Sequence, residues 1–173
     1  AFDTLDEAVE FIVEHRARLL AAIAPIVRQV ESHQNAAPLV IAVGGQSRSG
    51  KSTLVALLVL ALRGQGVSVR VLSLDNWLVS AGERTDDMTV RERYRYQAIE
   101  RDIGRLLSGQ EIELGRYDAY SRSTGPGAVF GLNHAACLIV DGVAALDITG
   151  LREIAAFRLF VETPEEVRRR RFF

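Results

Sequence analysis

One eight-residue segment constrains the fold of this chain more than any other. It reads Gly45-Gln46-Ser47-Arg48-Ser49-Gly50-Lys51-Ser52 and matches Gly-x-x-x-x-Gly-Lys-Ser/Thr at every fixed position. A continuous apolar run rich in β-branched residues (39–43) precedes it, and a helical pattern (52–63) follows it. A strand, a glycine-rich loop and a helix in this order are typical of an α/β fold with a parallel sheet.

The chemistry of this loop indicates a phosphate site. Glycines let the backbone curl so that N–H groups point inward, and the helix adds its positive end. Lys51 supplies a charge to the outer phosphates, and the Ser52 hydroxyl is placed to ligate magnesium. The sequence therefore predicts a P-loop NTPase fold that binds ATP and Mg²⁺ through Gly45, Gln46, Ser47, Arg48, Ser49, Gly50, Lys51, Ser52 and Thr53.

Composition sharpens the role of Lys51. It is the one lysine among the chain's 21 lysine and arginine residues. A planar guanidinium does not replace a compact ammonium in a crowded phosphate loop, which gives a chemical reason for keeping this lysine. A chance residue in an arginine-biased composition is the alternative interpretation.

Two regions are predicted along the chain. Apolar residues recur at helical spacing over residues 3–33, which predicts one or two amphipathic helices with Pro25 as a candidate break. We expect an N-terminal helical extension over residues 1–37 and a P-loop domain over residues 38–173. Because the chain starts without methionine and ends without a helix stop signal, we expect this domain to be incomplete at its C-terminus.

The rest of the chain alternates strand and helix patterns, which predicts a parallel sheet with helices on both faces. Further buried strands are predicted at residues 67–74, 136–140 and 157–161, a charged helix at 89–107, an extended stretch at 111–117, a loop with Gly125, Pro126 and Gly127, and a last helix capped by Thr163 with Pro164 in its first position.

Two acidic residues follow predicted buried strands. Asp141 ends the run Leu138-Ile139-Val140 and is the candidate magnesium ligand, although many buried strands end in an Asp-Gly turn. Asp75 ends the second strand, where a carboxylate is placed to receive the proton of an acceptor hydroxyl. Trp77 is a candidate substrate contact, with a place in the core as the alternative.

Composition narrows the partners. A net charge of -1 gives no electrostatic case for nucleic acid or a membrane as partner, so the expected partners are a nucleoside triphosphate and a small hydroxyl-bearing acceptor. The single cysteine, Cys137, excludes an internal disulfide and is expected in the core. No apolar stretch is long enough for a membrane helix and no signal peptide pattern starts the chain, which predicts a cytoplasmic location.

From about Leu39 onward the chain resembles the uridine kinase and phosphoribulokinase family of P-loop kinases. The loop at residues 44–53 looks like the family's, and residues 73–78 occupy the place of its aspartate-x-aromatic-aromatic motif. Similarity continues through residues 107–112, the Tyr117-Asp118 pair with Arg122, the acid-glycine strand end at 138–142, and the strand entering a lid helix at 160–168.

The resemblance implies a phosphotransferase that moves the γ-phosphoryl group to a small-molecule hydroxyl. It implies that Asp75 is the catalytic base, working with Lys51, and that Arg168 and Arg171 are lid arginines; the alternative for the arginine run is a solvated helix face. Acceptor contacts are implied for Tyr117, Asp118 and Arg122, against the alternatives of a hairpin and a solvated loop.

The chain departs from the uridine kinases in three places. The Asp-His-Pro segment that grips the nucleoside is replaced by residues 84–89, and Leu78 stands where a second aromatic is expected. The segment before Leu39 lies outside the minimal family pattern, and packing on the domain, formation of a homo-oligomer and linkage to another module all stay open.

Three other classes of P-loop protein compete with the kinase. A GTPase normally reads guanine with an Asn-Lys-x-Asp motif, and no lysine remains to form one. The segment Leu107-Ser108-Gly109-Gln110 lacks one glycine of the transporter ATPase signature and fits a helix C-terminus better. A non-catalytic nucleotide-binding regulator stays open on the sequence.

Overall fold

The structure is a computed structural model that describes residues 5–33, 37–118 and 120–170. Its elements, in chain order, are α1 (Leu5–Glu31), β1 (Leu39–Gly45), α2 (Lys51–Gly64), β2 (Val69–Ser73), short 3-10 helices at Leu74–Trp77 and Ala81–Glu83, α3 (Tyr96–Leu107), β3 (Ile112–Asp118), β4 (Ser123–Phe130), β5 (Cys137–Asp141), α4 (Thr149–Ile154), β6 (Phe157–Val161) and α5 (Glu165–Arg170). Each predicted buried strand is present, within two residues of its expected bounds.

Four parallel strands form the central sheet in the order β2-β5-β1-β6. The register sets Val43 of β1 and Ser73 of β2 opposite Asp141, the last residue of β5. Since parallel strands place their carboxyl ends at one edge, the P-loop and the residues that follow β2 and β5 meet there.

Helices cover both faces of this sheet, as the sequence predicts. Val40 and Ala42 of β1 lie in a core with buried residues of α3 and α4, whereas Ile41 and Val43 lie in a second core with α1 and α2. Alternate residues of a strand point to opposite faces, so β1 must be apolar throughout. Cys137 lies in the second core as expected, and burial raises the pKa of its thiol to about 12.

The N-terminal segment forms one continuous helix, so Pro25 is not a break. Proline inside a helix removes a hydrogen bond and costs about 3 kcal/mol. Ile23 and Ile26, on either side of Pro25, are buried in the core shared with α2, and this packing offsets the loss. Although α1 packs on the core of the P-loop domain, the division at residues 37 and 38 stays a prediction.

The predicted helix over residues 89–107 is wrong at its start, because α3 begins only at Tyr96. Tyr94 instead forms an antiparallel bridge with Leu78. On either side of that bridge, the Val79 N–H donates to the Arg93 carbonyl and the Arg95 N–H donates to the Trp77 carbonyl. These backbone bonds hold residues 93–95 beside the 3-10 helix Leu74–Trp77 and the residues that follow it.

The predicted loop around Pro126 is also wrong, because Gly125, Pro126 and Gly127 lie inside β4. Strands β3 and β4 pair as an antiparallel hairpin with a register shift between Leu114 and Arg116. Proline is tolerated at such an irregularity because the ladder does not require its missing N–H there. Helix α4, absent from the sequence prediction, is only six residues long.

None of the helices in the described part of the chain is both long and apolar enough to cross a membrane.

Alanine substitutions at the two glycines of β4 are expected to differ in their effect on stability. A Cβ atom on Gly127 would overlap the Leu114 backbone carbonyl, whereas one on Gly125 would meet no atom within 4 Å. We expect Gly127→Ala to lower the free energy of unfolding by about 1–3 kcal/mol and to speed amide exchange in the hairpin. Gly125→Ala is the matched control, expected to change stability by less than about 1 kcal/mol. Equal effects in urea denaturation would contradict the contact.

Candidate active site

Three side chains converge at the carboxyl edge of the sheet: Lys51 at the start of α2, Asp75 after β2 and Asp141 at the end of β5. The charge of Lys51 is influenced by both carboxylates, and that of Asp141 by both Lys51 and Asp75. Residues far apart in sequence therefore share one electrostatic site, as the strand order requires.

The loop before α2 adopts the curled conformation that the motif predicts. Gly50 and Arg48 have positive φ angles of 99° and 61°. The Lys51 ammonium donates to the Gln46 carbonyl at 2.9 Å, which folds the lysine back over the loop. Gly45 has φ 145°, and a Cβ there would overlap the Val161 carbonyl of the neighbouring strand β6.

This loop borders an open cavity of about 620 Å³ lined by Arg48, Gly50, Lys51, Ser52 and Thr53. Ser52 and Thr53 are exposed at the first turn of α2, a helix of 14 residues. Backbone N–H groups and the positive helix end favour an anion in such a cavity. Of the nine predicted phosphate-binding residues, Gly45 ends β1 and the other eight lie in this loop or in the first turn of the helix.

Burial leaves the charged forms of Lys51 and Asp141 less stable than in water. Desolvation lowers the pKa of Lys51, although Asp141 and Asp75 oppose the shift. Desolvation also raises the pKa of Asp141, assisted by Asp75 and opposed by Lys51. The two charges therefore compensate each other only in part, and the site favours further charged ligands.

Asp141 has the features of a cation ligand. Its Oδ1 atom is buried and has no hydrogen-bond partner among the described residues. A buried carboxylate oxygen without a donor is costly, and a hard cation such as Mg²⁺ satisfies it with a strong bond. Together with the Ser52 hydroxyl, Asp141 fits the donor set of a magnesium site.

Asp75 lies exposed on the 3-10 helix Leu74–Trp77, whose first turn it stabilises by donating its N–H to Ser73 Oγ at 3.3 Å. The Tyr94 hydroxyl donates to Asp75 Oδ1 at 3.2 Å. Trp77 is buried, and its indole N–H donates to Asp102 Oδ2 at 3.0 Å. This placement favours the core interpretation of Trp77, whose role as a substrate contact stays a prediction.

The hairpin brings part of the predicted acceptor set beside Asp75. The Tyr117 N–H donates to Asn76 Oδ1 at 3.2 Å, which fixes β3 against the 3-10 helix. Asp118 lies at the hairpin turn, where the Tyr120 N–H donates to its Oδ1, a bond that lowers the pKa of Asp118. Arg122 has φ 53°, and its carbonyl accepts from the Ala81 N–H at 2.8 Å.

The predicted lid helix enters beside the P-loop. The Thr163 hydroxyl donates to the Ser49 carbonyl at 2.6 Å, so it does not cap α5 as expected. Pro164 precedes the helix rather than starting it, and its carbonyl accepts from the Arg168 N–H. Arg168 is half-buried beside a cavity that it shares with Gln46, and Arg171 lies outside the described residues.

Sequence reasoning missed two residues of this region. Tyr94 contacts Asp75, and the Arg84 Nη2 group donates to the Tyr117 hydroxyl at 3.3 Å. No local pattern could have found these contacts, which join residues 19 and 33 positions apart in the chain.

Known proteins were compared with the chain. No protein-family model matches it. A uridine kinase of Lactiplantibacillus plantarum is 32% identical over 139 residues, covering 76% of this chain and 64% of the relative. A uridine kinase of Leuconostoc citreum is 29% identical over 137 residues, covering 76% of this chain and 65% of the relative. The chain thus spans slightly less than two thirds of these curated relatives.

Two solved structures share the fold. One is described as a possible uridine kinase from Bacillus stearothermophilus; its TM-score is 0.73 at 22% identity, over 87% of this chain and 85% of that protein. The other, provisionally assigned as a fructose transport system kinase from Silicibacter, has a TM-score of 0.73 at 21% identity, over 88% of this chain and 78% of that one.

The parallel sheet, the phosphate loop and the neighbouring acids together define a P-loop kinase fold. Within this class, the chain is similar in sequence to proteins named uridine kinases, in agreement with the resemblance of its motifs.

Removing the Tyr94 hydroxyl tests how the Asp75 turn is held. A hydrogen bond to a carboxylate at a partly exposed site contributes about 1 kcal/mol, so Tyr94→Phe is expected to lower stability by that amount. We also expect faster amide exchange at residues 75–79. Tyr96→Phe is the matched control, because the Tyr96 hydroxyl donates to Asp147 instead. Unchanged exchange in Tyr94→Phe would contradict the contact.

Burial of the Asp141 carboxylate predicts how the melting temperature of the protein depends on pH. A raised pKa means that Asp141 favours the folded state when protonated and loses this contribution as pH rises. Asp141→Asn is therefore expected to raise the melting temperature of the free protein at pH 7.5, with the difference shrinking at acidic pH.

Asp118 provides a control in which the change in melting temperature should have the opposite sign, because the pKa of Asp118 is lowered in the folded protein. Asp118→Asn should lower the melting temperature at pH 7.5 and lose that effect as pH falls. Scanning fluorimetry at both pH values measures the two shifts. A lower melting temperature for Asp141→Asn at neutral pH would show that pairing with Lys51 outweighs desolvation.

Proposed function

We propose that this protein transfers the γ-phosphoryl group of ATP to a hydroxyl group of a small molecule, with Mg²⁺ as cofactor. The observation that carries the proposal is the convergence of Lys51, Asp141 and Asp75 at one edge of the sheet. A phosphate-binding cation, a metal ligand and a base are the parts that phosphoryl transfer to an alcohol requires.

Each residue has a defined role in this proposal. Backbone N–H groups of residues 45–53 and the Lys51 ammonium bind the phosphates and offset the charge that develops on them. Magnesium, held by Ser52 and Asp141, would supply further charge neutralisation between the outer phosphates. Asp75 accepts the proton of the acceptor hydroxyl as that oxygen attacks, and its bond to Tyr94 fixes the direction in which the carboxylate points.

The lid and acceptor residues complete the proposed site. Arg168, on α5, and Arg171 would close over the phosphates, where a guanidinium binds oxyanions well. The proposed acceptor contacts are Trp77, Tyr117, Asp118 and Arg122. Tyr117 has the most direct support, because its backbone is bonded to the residue that follows Asp75.

The curated relatives are named uridine kinases, which favours a nucleoside as acceptor. The chain lacks the Asp-His-Pro segment that its resemblance to the uridine kinases would imply, and the Tyr94 hydroxyl donates to Asp75. We therefore propose a small hydroxyl compound as the acceptor and do not restrict it to nucleosides.

One assay separates the kinase from its alternatives. ADP formation is measured with ATP and magnesium, alone and with nucleosides, sugars, pentose phosphates and pantothenate-like alcohols. We expect at least one acceptor to stimulate ADP formation, and chelation of magnesium to abolish it. In Lys51→Ala and Asp75→Asn, the stimulated rate is expected to fall about 100-fold or more.

Glu153→Gln serves as a control, because Glu153 is an exposed carboxylate on α4, which runs into the amino end of β6. Lys51→Arg keeps the charge and is still expected to fail, since the planar fork does not fit the loop. Nucleotide binding without acceptor-stimulated ADP formation would favour a regulator. ADP formation that no acceptor stimulates would favour an ATPase.

A further inference from the structure

The half-buried guanidinium of Arg84 lies between the loop that follows Asp75 and the hairpin that carries Tyr117, and it has no role in the site described so far. Its Nε group donates to the Val79 carbonyl at 2.7 Å, and its Nη2 group donates to the Tyr117 hydroxyl at 3.3 Å. The Arg84 guanidinium carbon also lies 5.9 Å from the centre of the Tyr117 ring. Arg84 is thus held between the loop after Asp75 and the hairpin.

The segment that carries Arg84 is itself fixed. It follows the 3-10 helix Ala81–Glu83, which has a capping box formed by Ser80 and Glu83. The hairpin is bonded to the same loop, because the Thr124 hydroxyl donates to the Leu78 carbonyl at 3.1 Å. A guanidinium on such a rigid support is preorganised, so a ligand that binds it loses little additional entropy.

No described carboxylate lies within ion-pair distance of Arg84, although Asp86 and Asp87 follow within three residues. By contrast, Arg95 pairs with Glu83 at 3.6 Å and Arg101 pairs with Asp102 at 3.0 Å. An arginine has five N–H donors, and the hydrogen bonds of Arg84 to Val79 and Tyr117 leave three without an acceptor among the described residues. A half-buried charge without a counter-ion is unfavourable, so this position favours an anion.

Arg84 is also near the reacting end of the site. The Tyr94 hydroxyl donates to Asp75. Arg84 is joined to the segment that carries Tyr94 through Val79, whose carbonyl accepts from Arg84 Nε and whose N–H donates to the Arg93 carbonyl. Hydrogen bonds therefore connect Asp75, Tyr94, Arg84 and Tyr117 through Asn76 and Val79. This network joins Asp75 to the guanidinium, which is the basis for assigning both to one acceptor site.

We infer that the acceptor carries an oxyanion, a carboxylate or a phosphate ester, which Arg84 binds while Asp75 contacts the hydroxyl. This inference rests on the proposed kinase function and narrows its substrate class. A planar guanidinium suits both anions because its parallel N–H groups match two oxygens. A neutral nucleoside offers no such group and leaves the charge of Arg84 unpaired.

Matched acceptors test the inference. The carboxylate arm compares D-glycerate with glycerol, and the phosphate arm compares ribose 5-phosphate with ribose. In the wild type, the anionic member of at least one pair should have the higher kcat/KM. In Arg84→Gln, the ratio of anionic to neutral kcat/KM should fall about 10-fold to 100-fold, chiefly through KM for the anion.

Two further variants separate recognition of charge from structural support. Arg84→Lys keeps the charge and should recover part of the ratio, whereas Arg95→Gln, which removes an arginine already paired with Glu83, should leave the ratio unchanged. A purely structural role of Arg84 would lower both members of a pair equally. An unchanged ratio in Arg84→Gln, or a preference of the wild type for the neutral members, overturns the inference and leaves the kinase proposal intact.

If no acceptor stimulates ADP formation, the kinase proposal fails, and binding decides the inference separately. Trp77 is the sole tryptophan and lies two residues from Asp75, so its emission is followed during titration with D-glycerate or ribose 5-phosphate. Saturating ADP and magnesium keep these anions off the P-loop. A saturable change that Arg84→Gln abolishes supports the anion site, and the absence of such a change with both anions overturns it.

Discussion

The parallel pairing of β5 between β1 and β2 is the constraint on which the site depends. This pairing places the ends of three strands side by side, although the residues that follow them are separated by tens of positions in sequence. The pairing is maintained because the strands are apolar on both faces and are covered by helices on each side. The charged residues are brought together by burial of uncharged ones.

The parts of the fold that the sequence predicted are those with local signals. The P-loop has fixed residues, and the buried strands have continuous apolar runs that identify them without knowledge of their neighbours. The start of α3 was not predictable in this way. Its helical periodicity continues upstream of Tyr96, but the bridge between Tyr94 and Leu78 overrides it, and only the tertiary structure contains that bridge.

The hairpin also shows that a local sequence signal can be overridden by tertiary structure. Glycine and proline normally indicate a loop, yet Gly125, Pro126 and Gly127 belong to β4 because an irregular ladder requires no proline N–H and leaves no room for a Cβ atom on Gly127. For the site, motif reasoning predicted the phosphate end. The proposed acceptor end depends on contacts such as Arg84 with Tyr117, which no spacing rule encodes.

The electrostatics of the site show why its residues do not serve stability alone. Lys51 and Asp141 are both shifted toward their neutral forms by burial, and Asp141 has an oxygen without a partner among the described residues. Each of these features is unfavourable in the free protein, and the proposed binding of phosphates and a cation would compensate for it. An unfavourable charge distribution of this kind is expected at a site for highly charged ligands.

The bond between the Thr163 hydroxyl and the Ser49 carbonyl links the two ends of the domain. Ser49 belongs to the loop that surrounds the phosphates, and Thr163 lies between β6 and α5. A peptide group that rotates to direct its N–H toward a ligand also rotates its carbonyl, because the group is planar. The P-loop and α5 are therefore mechanically coupled through this one hydrogen bond. A displacement of either one moves the other without any change in the sheet between them.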